Sequence, residues 1–334
     1  MAEMTKRERV RAVLMGEEID RTPVAFWGHD YVREWTAEGT AAAMLEMTEK
    51  WDLDILKVNP RATYYMEAWG SQADPSTDPT KGGELTSFGV EVAEDLLYVD
   101  IADPGAGAFA EQLDALQAIR DGLNGNVPFV QTVFSPLTVL GRMTEGGPKR
   151  VREFIAEDSA AVHQALDSVA ETLAAYARTC VDVGADGIFY ATVDWGTKNM
   201  ISEEQYLEYG RPYDLRVLSA VRGAPLNMLH VCRSNNLLTT LLDYPVEVFN
   251  WDARAEGNPT LAEVAATSDR GIMGGIGQVK PLADGSPDEV AEEARDALRQ
   301  TEGRRFILSA GCSISPQTPP ENVAAALAVV RGSD

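Results

Sequence analysis

The chain has 334 residues, 45% of them hydrophobic and 24% charged, an ordinary globular composition that supports a large buried core. Its formal net charge of −23 excludes the basic surface that nucleic acid or an anionic membrane would require of a partner. Three cysteines are too few, and odd in number, for a disulfide framework; in a reducing compartment they read as metal ligands or nucleophiles.

No apolar run approaches the roughly 18 residues of a membrane span. The opening stretch, MAEMTKRERVRAVLMGEE, is charged throughout and carries no apolar signal core, which predicts a cytoplasmic protein.

Taken in chain order, short β-branched apolar runs alternate with helical stretches. Strands are expected at 22–28 (TPVAFWG), 54–59 (DILKVN), 127–133 (VPFVQTV) and 185–192 (ADGIFYAT). Four more follow at 225–231 (PLNMLHV), 246–251 (VEVFNW), 271–277 (GIMGGIG) and 306–311 (FILSAG). Each is apolar on both faces, as strands of a buried parallel sheet are. Helices are expected at 40–50, as a pair within 153–183 with Asp158 as the cap, and at 202–222, which opens Ser-Glu-Glu. Others are expected at 261–268, 286–301 and 320–331, with a short one near 235–242.

Eight strands alternating with helices predict an α/β fold, a (β/α)8 TIM barrel forming one domain over residues 1–334. A doubly wound open sheet is the alternative, and the absence of a Gly-rich turn after the first strand counts against it. Residues 61–125 are too long for one strand-to-helix connection. They contain 86–100 (TSFGVEVAEDLLYVD), which alternates like a hairpin, so an excursion over the barrel mouth is expected between strands two and three. Residues 332–334 are expected to be loose.

Barrel chemistry sits at the carboxyl ends of the strands. His230 and Cys232 end the fifth run, and their even spacing points both side chains to one face. Cys312 lies just past the eighth run, and an eight-stranded barrel is narrow enough for the three to meet over its axis. One imidazole and two thiolates suit Zn²⁺, and three protein ligands leave a coordination position open. A thiol entering that position loses its proton and becomes an acceptor for an alkyl group. The alternative reading of a His-x-Cys pair is simple burial, since cysteine packs as a small hydrophobe.

The same residues carry a family likeness. MTKRERVRAVLMGEEIDRTPV at the start, FSPLTVLGRM, GADGIFYATVDWGTKNMISEEQYLEYGRPY, LHVCRSNN and SAGCSISPQTPPENV together resemble the uroporphyrinogen decarboxylase superfamily over nearly the whole chain. The resemblance implies a (β/α)8 barrel. True decarboxylases carry an arginine-rich RQAGRY-like segment after strand one, where this chain reads AFWGHDYVREW with only Arg33 nearby. They carry Gly-His-Gly after strand eight, where this chain reads Gly311-Cys312-Ser313. Both departures point toward the zinc-dependent branch that includes methylcobamide:coenzyme M methyltransferases, whose ligands His230, Cys232 and Cys312 match. What the resemblance implies is methyl transfer between a corrinoid, free or on a partner protein, and a zinc-activated small thiol. Arg233-Ser234 stands after Cys232 where that branch commonly has Gly-Asn.

Around this centre, Asp194 and His29 are candidate catalytic groups. Asn59, Arg61, Tyr64, Trp195, Asp252 and Gln278 are candidate substrate contacts, Arg61 as a binder of carboxylate or sulfonate. Tyr65 and Asn250 are further cavity candidates. Cys180 is expected in the core and His163 on a helix. Two other functional readings remain: a metal-free decarboxylase, and a non-catalytic module that binds zinc or a corrinoid. The sequence leaves the oligomeric state open.

Overall fold

In a computed structural model of the chain, which describes residues 3–332, the eight expected apolar runs form one parallel sheet. The strands are β1 (Val24–Ala25), β2 (Leu56–Val58), β3 (Gln72–Asp74), β4 (Glu84–Ser87), β5 (Phe129–Phe134), β6 (Gly187–Ala191), β7 (Met228–Val231), β8 (Val248–Trp251), β9 (Gly271–Ile276) and β10 (Phe306–Ala310). β3 and β4 form a separate antiparallel hairpin. The others neighbour one another in the order β1-β10-β9-β8-β7-β6-β5-β2, with a helix following most strands. This is the TIM barrel that the alternation predicts.

The ring closes between β1 and β2 without a ladder. The Asp54 main-chain N–H donates to the Val24 carbonyl at 3.0 Å, and the Val24 N–H donates to the Asp54 carboxylate at 2.9 Å. The same buried carboxylate accepts from Arg9 at 2.7 Å and Arg21 at 2.6 Å. One carboxylate, neutralised by two guanidiniums, therefore bridges the seam.

Inside the ring, Ala25, Trp27, Ile55, Val130, Phe189, Ala191, Met228, Val248, Met273 and Ile307 pack as one apolar cluster. Val10 and Val13 of helix Lys6–Met15 join it and plug the amino-terminal end. That helix starts on a capping box, with Thr5 and Glu8 exchanging hydrogen bonds, and its charged residues hide it from a periodicity reading.

Most expected helices form. Asp158 caps Ser159–Asp182 by accepting from the Ala161 N–H at 3.0 Å, and Pro148–Glu157 precedes it. The 202–222 helix is split into Glu203–Tyr209 and Arg211–Ala220, because Gly210 and Pro212 interrupt it. Near 235–242 only the 3-10 turn Leu238–Thr240 forms. Helix Pro136–Met143, capped by Ser135, was not expected.

The 86–100 hairpin does not form. Only Glu84–Ser87 is strand, paired with Gln72–Asp74, and Ala93–Tyr98 coils into a 3-10 helix capped by Asp95. The alternation reflects a half-exposed coil lying on helix Ser159–Asp182, where Thr172 Oγ1 accepts from the Ala102 N–H at 2.9 Å. The excursion covers the mouth only in its first half. Its second half is Gly107–Leu123, an ordinary barrel helix packed beside Ala37–Trp51. Gly332 caps the last helix in a left-handed conformation, and residues 333–334, also expected to be loose, lie outside the described residues. Among the described residues no helix is long and apolar enough to cross a membrane.

Replacing Asp54 by Ala takes the shared carboxylate from Arg21 and the Val24 N–H, leaves buried Arg9 with Asp20 alone, and opens the seam. The expected loss of unfolding free energy is about 3–5 kcal/mol, read from urea denaturation; a change under about 1 kcal/mol, the range of an exposed ion pair, would contradict this role.

Candidate metal centre

β7 ends in His230-Val231-Cys232, with His230 in register beside Asn250 of β8. Both inward-facing side chains reach the barrel axis, where Cys312 arrives from the end of β10. The three ligand atoms lie within 4.8 Å of one another. Cys232 Sγ is 2.6 Å and Cys312 Sγ 3.5 Å from His230 Nε2. Tetrahedral zinc at ordinary bond lengths sets ligand atoms roughly 3.5–3.8 Å apart. The Cys312 contact already has that spacing, and the Cys232 contact would have to widen by about an ångström to share an ion.

The orientation of the imidazole is set from outside. Asn250 Nδ2 donates to the Met273 carbonyl at 2.9 Å and the Ala310 carbonyl at 3.4 Å, so its Oδ1 must face His230 as an acceptor. His230 Nδ1 stands 2.5 Å from that oxygen and carries the ring proton. Nε2 is left with its lone pair on the sulfur side, as a metal ligand requires. Cys232 beside it holds the Cys312 thiol well below the ordinary thiol range, with help from nearby His230. The same contact, with burial, pushes Cys232 well above it.

The centre opens into a cavity of about 150 Å³. Trp27, Tyr65, Phe134, Phe189 and Val193 supply apolar wall, and His29, Lys57, Asn59 and Arg142 supply polar groups. Val193 adopts a φ of 37°, rare for a β-branched residue, and Arg233 and Asn235 in the facing loop have φ of 74° and 49°. Strain of this kind is held in place by the surrounding fold and gathers at functional sites. A larger hollow of about 600 Å³ lies at the opposite, amino-terminal end of the strands, around Leu14, Leu226 and Arg305. It contains neither histidine nor cysteine, so the smaller cavity is the candidate site.

The structure sorts the other sequence candidates. His29 and Asn59 line the cavity. His29 Nδ1 is bound at 2.6 Å to the buried carboxylate of Glu34, and its ring stacks on Tyr31. Six candidates do not reach the cavity wall. Asp194 sits behind it, 2.6 Å from Arg233 and 3.6 Å from Arg142, because two arginines capture its carboxylate. Arg61 is buried, clamped by Glu67 and Glu111 and stacked on Trp35, so its charge is spent internally. Tyr64 is fully buried against Phe109 and Tyr176, since 64–67 is helical and turns this ring into the core while Tyr65 faces the cavity. Trp195 is wholly buried against Gly141. Asp252 caps its own loop by accepting from the Arg254 N–H, and Gln278 lies beyond the wall after β9. Cys180 is core, its thiol raised by burial, and His163 pairs with the Tyr213 hydroxyl at 2.6 Å.

Lys57 is the residue the sequence reading missed. It is 4% exposed, projects inward from β2, and sits over Trp27 and Phe189 at 5.5 and 4.8 Å from the ring centroids. Burial pulls its ammonium down to about 7, against the opposing pull of Cys312, Cys232 and Glu34. A lone lysine inside the apolar run DILKVN, in phase with Asn59, was the available signal.

A family model described as Uroporphyrinogen decarboxylase (URO-D) matches residues 5–333. A methylcobamide:CoM methyltransferase of Methanosarcina barkeri is 24% identical, covering 98% of this chain and 98% of its own length. A methylated-thiol–coenzyme M methyltransferase of Methanosarcina mazei is 23% identical over 97% of this chain. A uroporphyrinogen decarboxylase of Delftia acidovorans is 27% identical but covers only 74% of the chain. Among solved structures, a methyltransferase from Methanosarcina mazei superposes with a TM-score of 0.85 at 23% identity, covering 98% of each chain. With the family model spanning almost every residue, the chain belongs to the uroporphyrinogen decarboxylase family of enzymes.

Proposed function

We propose that this enzyme moves a methyl group between a corrinoid and a small thiol activated at a zinc ion held by His230, Cys232 and Cys312. The observation that carries this reading is the convergence of one oriented imidazole and two thiols at the head of a small cavity. When bound, the ion supplies a positive charge that keeps an entering thiol in its thiolate form at neutral pH.

The chain's own residues do the rest. Asn250 holds His230 in the ligating tautomer. Trp27, Phe134, Phe189 and Val193 exclude water and leave room for an alkyl group. His29, with Nδ1 engaged by Glu34, offers Nε2 to take the thiol proton. Asp194 acts through others, fixing Arg142 and Arg233 at the rim. At about 150 Å³ the cavity admits a thiol of a few heavy atoms. Pockets for drug-sized ligands begin near roughly 300 Å³, so a corrin ring must present its methyl group from outside the mouth, free or on a partner protein. The names and nearly full-length coverage of the two methyltransferase relatives support the same reading. A free, reduced dithiol centre suits the cytoplasm. The decarboxylase reading gains no support from a wall that offers Cys232 and Cys312 but too little space for a tetrapyrrole.

Metal analysis should find about one zinc per chain, as three ligands with one open position imply. Asn250→Ala should weaken zinc binding roughly 10–100-fold, and Cys312→Ser by more, both read by competition with a chromophoric chelator. A Cys312→Ser protein with unchanged zinc affinity would overturn the ligand assignment. Mixed with methylcobalamin and small thiols, the zinc-loaded enzyme should demethylate the corrinoid and the metal-stripped enzyme should not. Binding of the corrinoid with no demethylation by any thiol would favour a carrier instead.

A further inference from the structure

The chain holds three cysteines, and the fold sorts them. Cys180 lies in the core on helix Ser159–Asp182, with no exposed surface. Cys232 and Cys312 line the cavity and are partly exposed to it. Their sulfurs lie within 4.8 Å of each other and flank His230 Nε2. Within the chain, each of these two thiols therefore has one reachable partner, which is the other.

A bond between them asks little of the backbone. A disulfide sets its sulfurs about 2.05 Å apart. A change of χ1 rotamer carries a cysteine sulfur by roughly 3 Å, enough to cross what remains of the gap. The reagent that makes the bond must be small, because the cavity holds about 150 Å³. A water molecule takes roughly 30 Å³, so hydrogen peroxide, with two oxygen atoms, enters easily. The same two sulfurs cannot serve a disulfide and an ion together. Zinc takes thiolates, and a disulfide sulfur carries no charge, so closure would leave His230 as the one ligand.

We propose that Cys232 and Cys312 form an oxidative modification site: hydrogen peroxide joins them in an intramolecular disulfide that cannot hold the ion, and an external dithiol reopens it. The exclusion of zinc rests on the ligand assignment above; the cross-link itself does not. One thiolate attacks a peroxide oxygen and the O–O bond breaks, leaving a sulfenic acid and hydroxide. The second thiolate attacks the sulfenic sulfur, the S–S bond forms and a second hydroxide leaves. In all, two thiolates give up two electrons and peroxide is reduced to two hydroxides. A neighbour within 4.8 Å captures the sulfenic acid before further peroxide takes it to the irreversible sulfinic acid. A bound ion occupies both sulfurs, so the site is open to oxidation where the ion has left.

The test treats the zinc-stripped full chain with hydrogen peroxide and counts free thiols in denaturant. The count should fall from three to one, the intact mass should drop by two hydrogen atoms, and peptide mapping should link Cys232 to Cys312. Zinc binding, read with a chromophoric chelator, should be lost and should return after dithiothreitol. With free zinc at ten times its Kd, closure should slow roughly tenfold. In Cys312→Ser the sulfenic acid on Cys232 has no partner and should be trapped by dimedone. The wild-type map decides the question alone, should that variant fail to fold. Three surviving thiols, a cross-link through Cys180 or to a second chain, or a cross-linked chain with unchanged zinc affinity would overturn the proposal. If the reduced chain binds no zinc, the ligand assignment and the zinc half of the proposal fail, while the thiol count and the map still decide the cross-link.

Discussion

The hydrogen bond between Asn250 and His230 is the constraint on which the centre depends. An imidazole can present either nitrogen to a metal, and a free ring would sample both. Here the choice is made by two carbonyls, Met273 on β9 and Ala310 on β10, which take the amide N–H groups of Asn250 and leave only its oxygen for the histidine. Four adjacent strands, β7 to β10, thus cooperate to place one lone pair. The arrangement also explains how ligands more than eighty positions apart converge. His230, Asn250 and Cys312 stand on neighbouring staves of one arc, and the ring is too narrow for inward side chains to avoid one another.

Much of this was legible in the chain itself. All eight sheet strands fall within the apolar runs, because parallel strands covered on both faces need uninterrupted hydrophobicity. The meeting of His230, Cys232 and Cys312 was legible because strand parity and strand-end position are local properties, and barrel geometry supplies the rest. The failures are non-local. Arg61 looked like a free anion binder, and its neutralising partner Glu111 comes from a helix fifty positions later. Asp194 looked catalytic until Arg142 and Arg233 arrived from separate loops to capture it. Of the two neighbouring candidates Tyr64 and Tyr65 only the second reaches the cavity, because 64–67 is helical and sends the Tyr64 ring into the core against Phe109 and Tyr176. Lys57 was overlooked because one charged residue did not disturb the strand pattern around it.

The site divides its work between two sides of the barrel. His230, Cys232, Cys312 and the orienting amide belong to β7, β8 and β10 or the positions just past them, while His29, Lys57 and Asn59 come from β1, β2 and the positions after them, and Arg142 from the helix after β5. Charge follows the same division. No Asp or Glu lines the cavity; Glu34 behind the wall is taken up by His29, and Asp194 by Arg142 and Arg233.

That division gives the Asp54 seam a mechanical meaning. Everywhere else the hoop of strands is riveted by runs of main-chain hydrogen bonds, but between β1 and β2 one main-chain bond and the Asp54 carboxylate serve as the clasp. The clasp lies at the foot of the two staves that carry Trp27, Lys57 and Asn59 upward to the cavity. The fewest cross-strand bonds therefore hold the part of the hoop from which Trp27, Lys57 and Asn59 line the cavity, while full ladders join β7 to β10, the arc of His230 and Cys312.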